Sequence, residues 1–172
     1  SLDLSHFNTA NVTDMSNMFS ECVLLTSLDL SNFNTANVTN MTHMFSGCSG
    51  MTSLDVSNFN TSNVTNMDWM FYNCSGLTTI YCNDTWSCGS SEYMFYGCTS
   101  LVGAIAYDET KTDVTYANPD TGYFTRTSGT SISMLNVADG QLKNDIYTLS
   151  GQRLSQPQKG INIVDGRKVV VK

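Results

Sequence analysis

NVTNMTHMFSGCSGMTSLDVSNFNTS, residues Asn37–Ser62, is the stretch whose reading decides the fold. Nearly the same 26 letters precede it at Asn11–Ala36 and follow it from Asn63. The Phe of the Met-Phe pair recurs at Phe19, Phe45, Phe71 and Phe95. A Cys follows three residues later each time, at Cys22, Cys48, Cys74 and Cys98, so the spacings are 26, 26 and 24.

A fixed period of this size, with one short apolar strand per turn of chain, is the mark of a leucine-rich-repeat solenoid. Each unit of such an array buries its apolar face only against its neighbours. Within one repeat, Val38, Met41, Met44, Phe45 and Cys48 stand at offsets that put all five on one side of a helix or helical turn. Asn37 and Thr39 are placed to cap its start, and Gly47 suits its end. Met51, Leu54 and Val56 then follow L-x-x-L-x-L spacing, alternating with Ser53, Asp55 and Ser57 as a strand does. The expected fold is therefore α/β: four to five units of 24–26 residues with a parallel sheet on one face.

SLDLSNFNTANVTNMTHMFSGCSGMTSLDVSNFNT resembles the BspA-type leucine-rich repeat of bacterial surface proteins. The resemblance spans roughly Ser1 to Thr125, and LVGAIAYDETKTDVTYANPDTGYFT is similar to the segment that closes such arrays. It implies a cell-surface or secreted adhesion-type protein without chemistry of its own, and it names no ligand.

Charge is unevenly placed. Residues 1–110 hold ten acids and no Lys or Arg, whereas residues 111–172 hold all eight bases and five acids. An acidic repeat region repels phosphate backbones, which argues against nucleic acid and anionic membranes as partners. No apolar run reaches the 18 residues that a membrane span needs, so no membrane insertion is expected of these residues. The chain opens inside a repeat strand, SLDLS, and reads as a fragment or processed form whose targeting segment lies upstream.

Three segments follow from this reading: a repeat solenoid at 1–107, a capping or linker segment at 108–131, and a β-hairpin C-terminal segment at 132–172. The first comprises a lone strand at Ser1–Phe7, regular units at Asn8–Ser31 and Asn32–Ser57, and a unit at Phe59–Asn83 with larger residues. A shortened unit begins at Asp84. In the last segment, ISMLNVADG, IYTLSG, GINIVDG and RKVVVK are short alternating strands. Asp139-Gly140, Ser150-Gly151 and Asp165-Gly166 between them are hairpin signals. YTLSGQRLSQPQKGINIVDGRKVVVK resembles the C-terminal tail of proteins exported by Bacteroidetes, which in some relatives is a sorting signal for the type nine secretion route. A β-cap on the array is the competing reading.

Four cysteines occupy one repeat position, which stacks Cys22, Cys48, Cys74 and Cys98 in a row about 5 Å apart. A zinc site needs ligands converging on a point, so a buried, reduced thiol ladder is expected and no metal. Cys82 and Cys88 stand outside the row and bracket NDTWS. In an exported protein such a spare pair reads as a disulfide, while the plainer alternative keeps Cys82 free at the inward position of Leu30 and Val56. His6 aligns with Asn32 and Asn58, and His43 with Asn17 and Trp69; neither has the spacing of a metal or nucleophile motif. The N-V-T triplets at Asn11, Asn37 and Asn63 could be glycosylation acceptors, but stacked Asn and Thr also build hydrogen-bonded ladders.

Catalysis needs one constellation in a pocket, and this chain repeats its polar residues in rows. The expectation is a non-enzymatic, cofactor-free protein-binding module at the cell surface or outside the cell, engaging a host or neighbouring-cell surface or matrix protein. A structural stalk with no ligand of its own is the alternative. Strand alternation turns Asp3, Asp29 and Asp55 outward in a row that water, Ser hydroxyls or a cation such as calcium would have to relieve. Tyr81 continues that row, and the aromatics Trp69, Tyr72, Tyr81, Trp86, Tyr93 and Tyr96 crowd into 28 residues. Interface anchors favour large rigid groups. Trp69 and Tyr81 are therefore the expected anchors, Asp29 and Asp55 supply acidic steering, and Trp86 packs inside.

Overall fold

The computed structural model describes residues 2–127 and, beyond them, the backbone of five strands. The chain divides into two compact bodies, Ser1–Arg126 and Thr127–Lys172. The segment from 108 to Arg126 thus packs with the repeats.

The first body is mostly non-helical and carries a small parallel sheet. Strands β1 (Ser53–Asp55), β2 (Thr79–Tyr81) and β3 (Phe124–Thr125) lie in the order β1-β2-β3. Leu54 stands opposite Ile80 and Ile80 opposite Phe124, and all three are buried. Their neighbours Asp55 and Tyr81 point to the other face, as a period of two requires. The same text one repeat earlier, Ser27–Ser31, is not a strand.

The sequence spacing predicts a helical turn over Val38–Cys48, and here the structure differs. No α-helix occurs among the described residues, and the one helical element is a 3-10 turn at Val114–Tyr116. The amides that a helix would direct to its own carbonyls alternate between two destinations. Met41, His43, Phe45 and Gly47 donate to the carbonyls of Asn66, Asp68, Met70 and Tyr72 in the next repeat. Met44, Ser46 and Cys48 donate three residues back, to Met41, His43 and Phe45. The segment is a run of tight turns that bonds sideways to its neighbour. The backbone enters the left-handed region every fourth residue, at His43 (φ 56°) and Gly47 (φ 73°), which a helix does not allow. The apolar offsets fit both geometries, because consecutive three-residue turns also return a side chain to one face every third or fourth residue. Nor do Asn37 and Thr39 cap a helix: their side chains donate to Ala10 O and Thr13 O of the preceding repeat.

The same sideways pattern links the Phe19, Phe45, Phe71 and Phe95 repeats, with parallel bridges Asp14↔Asn40, Asn40↔Asn66 and Asn66↔Ser90. Inside, the four Phe rings form one column with centroids 5.6, 5.5 and 5.5 Å apart and planes within 7° of parallel. Tyr123 ends that column edge-on, 5.2 Å from Phe95. Its hydroxyl donates to Asp108 O and accepts from Asp108 N, tying the closing segment to itself. Trp86 is buried between Phe59 and Phe124, as the sequence suggested.

The second body holds a five-stranded sheet in the order β4-β8-β7-β5-β6, from β4 (Ser133–Met134), β5 (Ile146–Thr148), β6 (Arg153–Leu154), β7 (Gly160–Val164) and β8 (Arg167–Val171). β7 and β8 flank Asp165-Gly166 and pair antiparallel, with Val164 opposite Arg167. β5 and β6 flank Ser150-Gly151 and are also antiparallel, whereas β4 pairs β8 in parallel. The hairpin read at Asp139-Gly140 lies outside the described residues.

Candidate protein-binding surface

Stacking turns each repeat position into a row, so the surface is built from rows, not from a converging pocket. Many polar rows are bound up between repeats. Asn32 Nδ2 donates to Leu4 O and Phe7 O, and Asn58 Nδ2 repeats this onto Leu30 O and Phe33 O. Thr9 and Thr35 hydroxyls donate to Asn34 O and Asn60 O and accept from the same residues' amides. In the N-V-T triplets, Asn37 and Asn63 are held by Ala10 O and Ala36 O, and Thr39 and Thr65 by Thr13 O and Thr39 O.

The thiol row is likewise bonded along the stack. Cys48, Cys74 and Cys98 Sγ donate to Phe19 O, Phe45 O and Phe71 O at 3.0–3.1 Å, and all three are buried. Cys22 at the row's start is half-buried. Burial pushes the Cys48 thiol up to about 12, and the neighbouring Cys98 thiol together with burial raises that of Cys74. Cys82 and Cys88 do not form the expected bridge. Both are free thiols, with Cys82 Sγ turned to Asp84 O and Cys88 Sγ donating to Ser90 O. Cys82 is buried beside Ile80 in the core and is pushed by that burial up to about 11. Among the described residues no three His, Cys, Asp or Glu side chains are grouped to hold a metal.

The outward Asp row is relieved from within. Asp3, Asp29 and Asp55 each accept, through Oδ1, the amide two residues on, at Ser5, Ser31 and Ser57. Those backbone donors hold the Asp3 and Asp29 carboxyls below the usual range. Asp29 and Asp55 line one shallow depression with Ser31, Ser57 and Asn58. Tyr81, half-buried, stands opposite Asp55 on one side and Thr125 on the other.

Trp69 does not share that row. It stacks between His43, 4.9 Å away, and Tyr93, 6.4 Å away, on the turn segments. The structure therefore joins Asp29, Asp55 and Tyr81 in one area and places Trp69 in a separate aromatic column. Sequence reasoning passed over Tyr93 and Tyr96 as anchors, yet they are 50% and 41% exposed, more than Trp69 or Tyr81. Their signal was position: once the two-residue shortening is allowed for, Tyr93 falls in line with His43 and Trp69, and Tyr96 with Tyr72.

Residues 1–109 match a protein family described as Mycoplasma protein of unknown function, DUF285. The chain belongs to the DUF285 family. The DUF285 match covers all four Met-Phe repeats and both surface areas, and it stops before the 3-10 turn and β3 that complete the first body. No curated protein and no solved structure matches the chain significantly. No helix among the described residues is long and apolar enough to cross a membrane.

Proposed function

We propose that this DUF285 chain is a non-enzymatic protein-binding module of the adhesion type, a BspA-like leucine-rich-repeat solenoid working at the cell surface or outside the cell. The observation that carries this reading is the sideways backbone pairing of successive repeats, which lays identical positions in rows and keeps large aromatics at the end of those rows. Such a surface offers area and anchors to a macromolecule, and its buried, protonated thiols are poorly suited to nucleophilic work. The partner proposed is a host or neighbouring-cell surface or matrix protein. Trp69 and Tyr81 are taken as two contact points in separate areas, with Asp29 and Asp55 steering. The test is adhesion of the full chain to immobilised matrix proteins, with Trp69→Ser/Tyr81→Ser as the variant. A folded double variant that adheres as well as the parent contradicts these anchors.

One observation favours a stalk instead. The Asn and Thr side chains of most rows are committed to bonds between repeats, which stiffens the stack and leaves those rows little to offer a ligand. Absence of adhesion to every matrix protein tried supports that reading.

A further inference from the structure

Two aromatic columns rise from the turn segments. His43, Trp69 and Tyr93 form one, and Tyr72 and Tyr96, with centroids 5.7 Å apart, form the other. They meet where the Tyr93 and Tyr96 rings lie edge to face at 5.8 Å and 87°. Each of these tyrosines ends its column: among the described residues no further ring stacks beyond Tyr93 or Tyr96. Half of Tyr93 and two fifths of Tyr96 are open to solvent.

The backbone beneath makes this arrangement costly. Trp69 and Tyr93 take φ of 53° and 52°, the left-handed region that bulky side chains avoid. The Phe19 repeat has Asn17 there at φ 58°, the residue type that tolerates the conformation. Tyr93, held in that conformation with half of its surface in water, is not explained by the core. Strain that surrounding structure sustains at the surface is a pointer to function.

Charge says what kind of partner suits the ridge. Glu92, exposed, precedes Tyr93; Asp68 precedes Trp69 and accepts from Ser90 Oγ and Glu92 N; exposed Glu21 lies over Gly47 in the neighbouring row. There is no Lys or Arg in residues 1–110, and the first base, Lys111, is paired with Asp108 at 3.3 Å. A partner covering the ridge must bring the positive charge itself.

We infer that the Tyr93–Tyr96 end of this ridge docks an arginine-rich segment of a protein partner, with guanidinium planes on the open tyrosine faces and Glu92 beside them. Arginine suits the site better than lysine, because its planar, weakly hydrated cation stacks on aromatic faces. This inference rests on the protein-binding reading and adds the partner's chemistry and two anchors to it.

The test is calorimetric titration of the full chain with an eight-arginine peptide, an eight-lysine peptide and an eight-glutamate peptide. The variant is Tyr93→Asn/Tyr96→Ser, which installs the residue types that the Phe19 repeat already carries at Asn17 and Ser20 and leaves net charge unchanged. Its melting curve reports whether it folds. The expected result is binding of the arginine peptide, weaker binding of the lysine peptide and none of the glutamate peptide. The arginine affinity should fall about tenfold in the folded variant, the loss of two exposed cation–π contacts. Should the double variant not fold, Tyr96→Ser alone is read, with an expected loss of about threefold. No binding of the arginine peptide, equal affinity for the two basic peptides, or undiminished affinity in a folded variant overturns the inference. Adhesion to matrix protein without arginine-peptide binding overturns this inference and leaves the protein-binding reading standing. Arginine-peptide binding without adhesion leaves both this inference and the protein-binding reading standing and overturns only the matrix protein as the partner.

Discussion

Cys74 Sγ donates to the Phe45 carbonyl at 3.0 Å, reaching one repeat upstream and using a thiol to close a bond between neighbouring backbones. Cys48 and Cys98 make the same bond to Phe19 and Phe71. Cysteine is thus placed as a small buried donor in the stack.

The thiols make stability depend on alkaline pH. Unfolded, they ionise near 9.0, whereas folded Cys82 and Cys48 hold their protons to about 11 and about 12. The unfolded chain sheds protons first as pH rises, so this contribution is complete below pH 9 and is lost between about 9 and 12. Denaturant melts at pH 8 and pH 10.5 should show the lower stability at the higher pH; equal or greater stability at pH 10.5 would contradict the buried ladder. The denatured, non-reduced protein should titrate six thiols, and a count of four would restore the Cys82–Cys88 bridge.

Gly76 allows two repeats to close on each other. A Cβ there would sit 2.2 Å from Ser49 O, and one at Gly50 would sit 2.4 Å from Val23 O. Backbone cannot yield as a flexible side chain can, so Gly76→Ala should cost about 1–3 kcal/mol by forcing the repeats apart. Gly89→Ala, where the nearest atom is 3.2 Å away, should cost less. Thermal melts of the two variants check the order.

Asn58 holds two carbonyls of the preceding repeat, Leu30 O at 2.9 Å and Phe33 O at 3.0 Å. Asn58→Ala takes the Nδ2 donor from both carbonyls, of which Leu30 O still accepts from Phe33 N, and should cost about 1–3 kcal/mol. Asn63→Ala, which loses one exposed bond to Ala36 O, should cost less. Equal losses would mean that the second, part-buried bond of Asn58 adds nothing to the coupling of the repeats.

The period, the inward residues and the thiol row were legible in the sequence because stacking makes identical positions identical environments. Phe45, Met44 and Cys48 had to be buried together whatever the backbone between them did. The backbone itself was not legible. Offsets of three and four mean one face in a helix and equally in a chain of tight turns, and the sideways amide bonds and the left-handed φ at His43 and Gly47 separate the two. Residue identity hid that conformation, since His, Trp and Tyr replace the Asn that would have signalled it. At the surface, the Asp29, Asp55 and Tyr81 area followed from strand alternation, but Trp69 and Tyr81 had no register in common from which their separation could be read. The shortened last repeat concealed Tyr93, because its spacing from Trp69 is 24 and not 26.

Successive repeats form one hydrogen-bonded stack around a single Phe column. Amide hydrogen exchange in Phe45→Asp tests it most directly. The amides of Phe71 and Phe95, which donate to Met94 O and Thr112 O, lie one and two repeats beyond the lesion. A charge placed in the column should remove their protection together with that of residue 45, because each repeat is buried only by its neighbours. Retention of parent-level protection at Phe71 and Phe95, with the loss confined to the altered repeat, would contradict the stack.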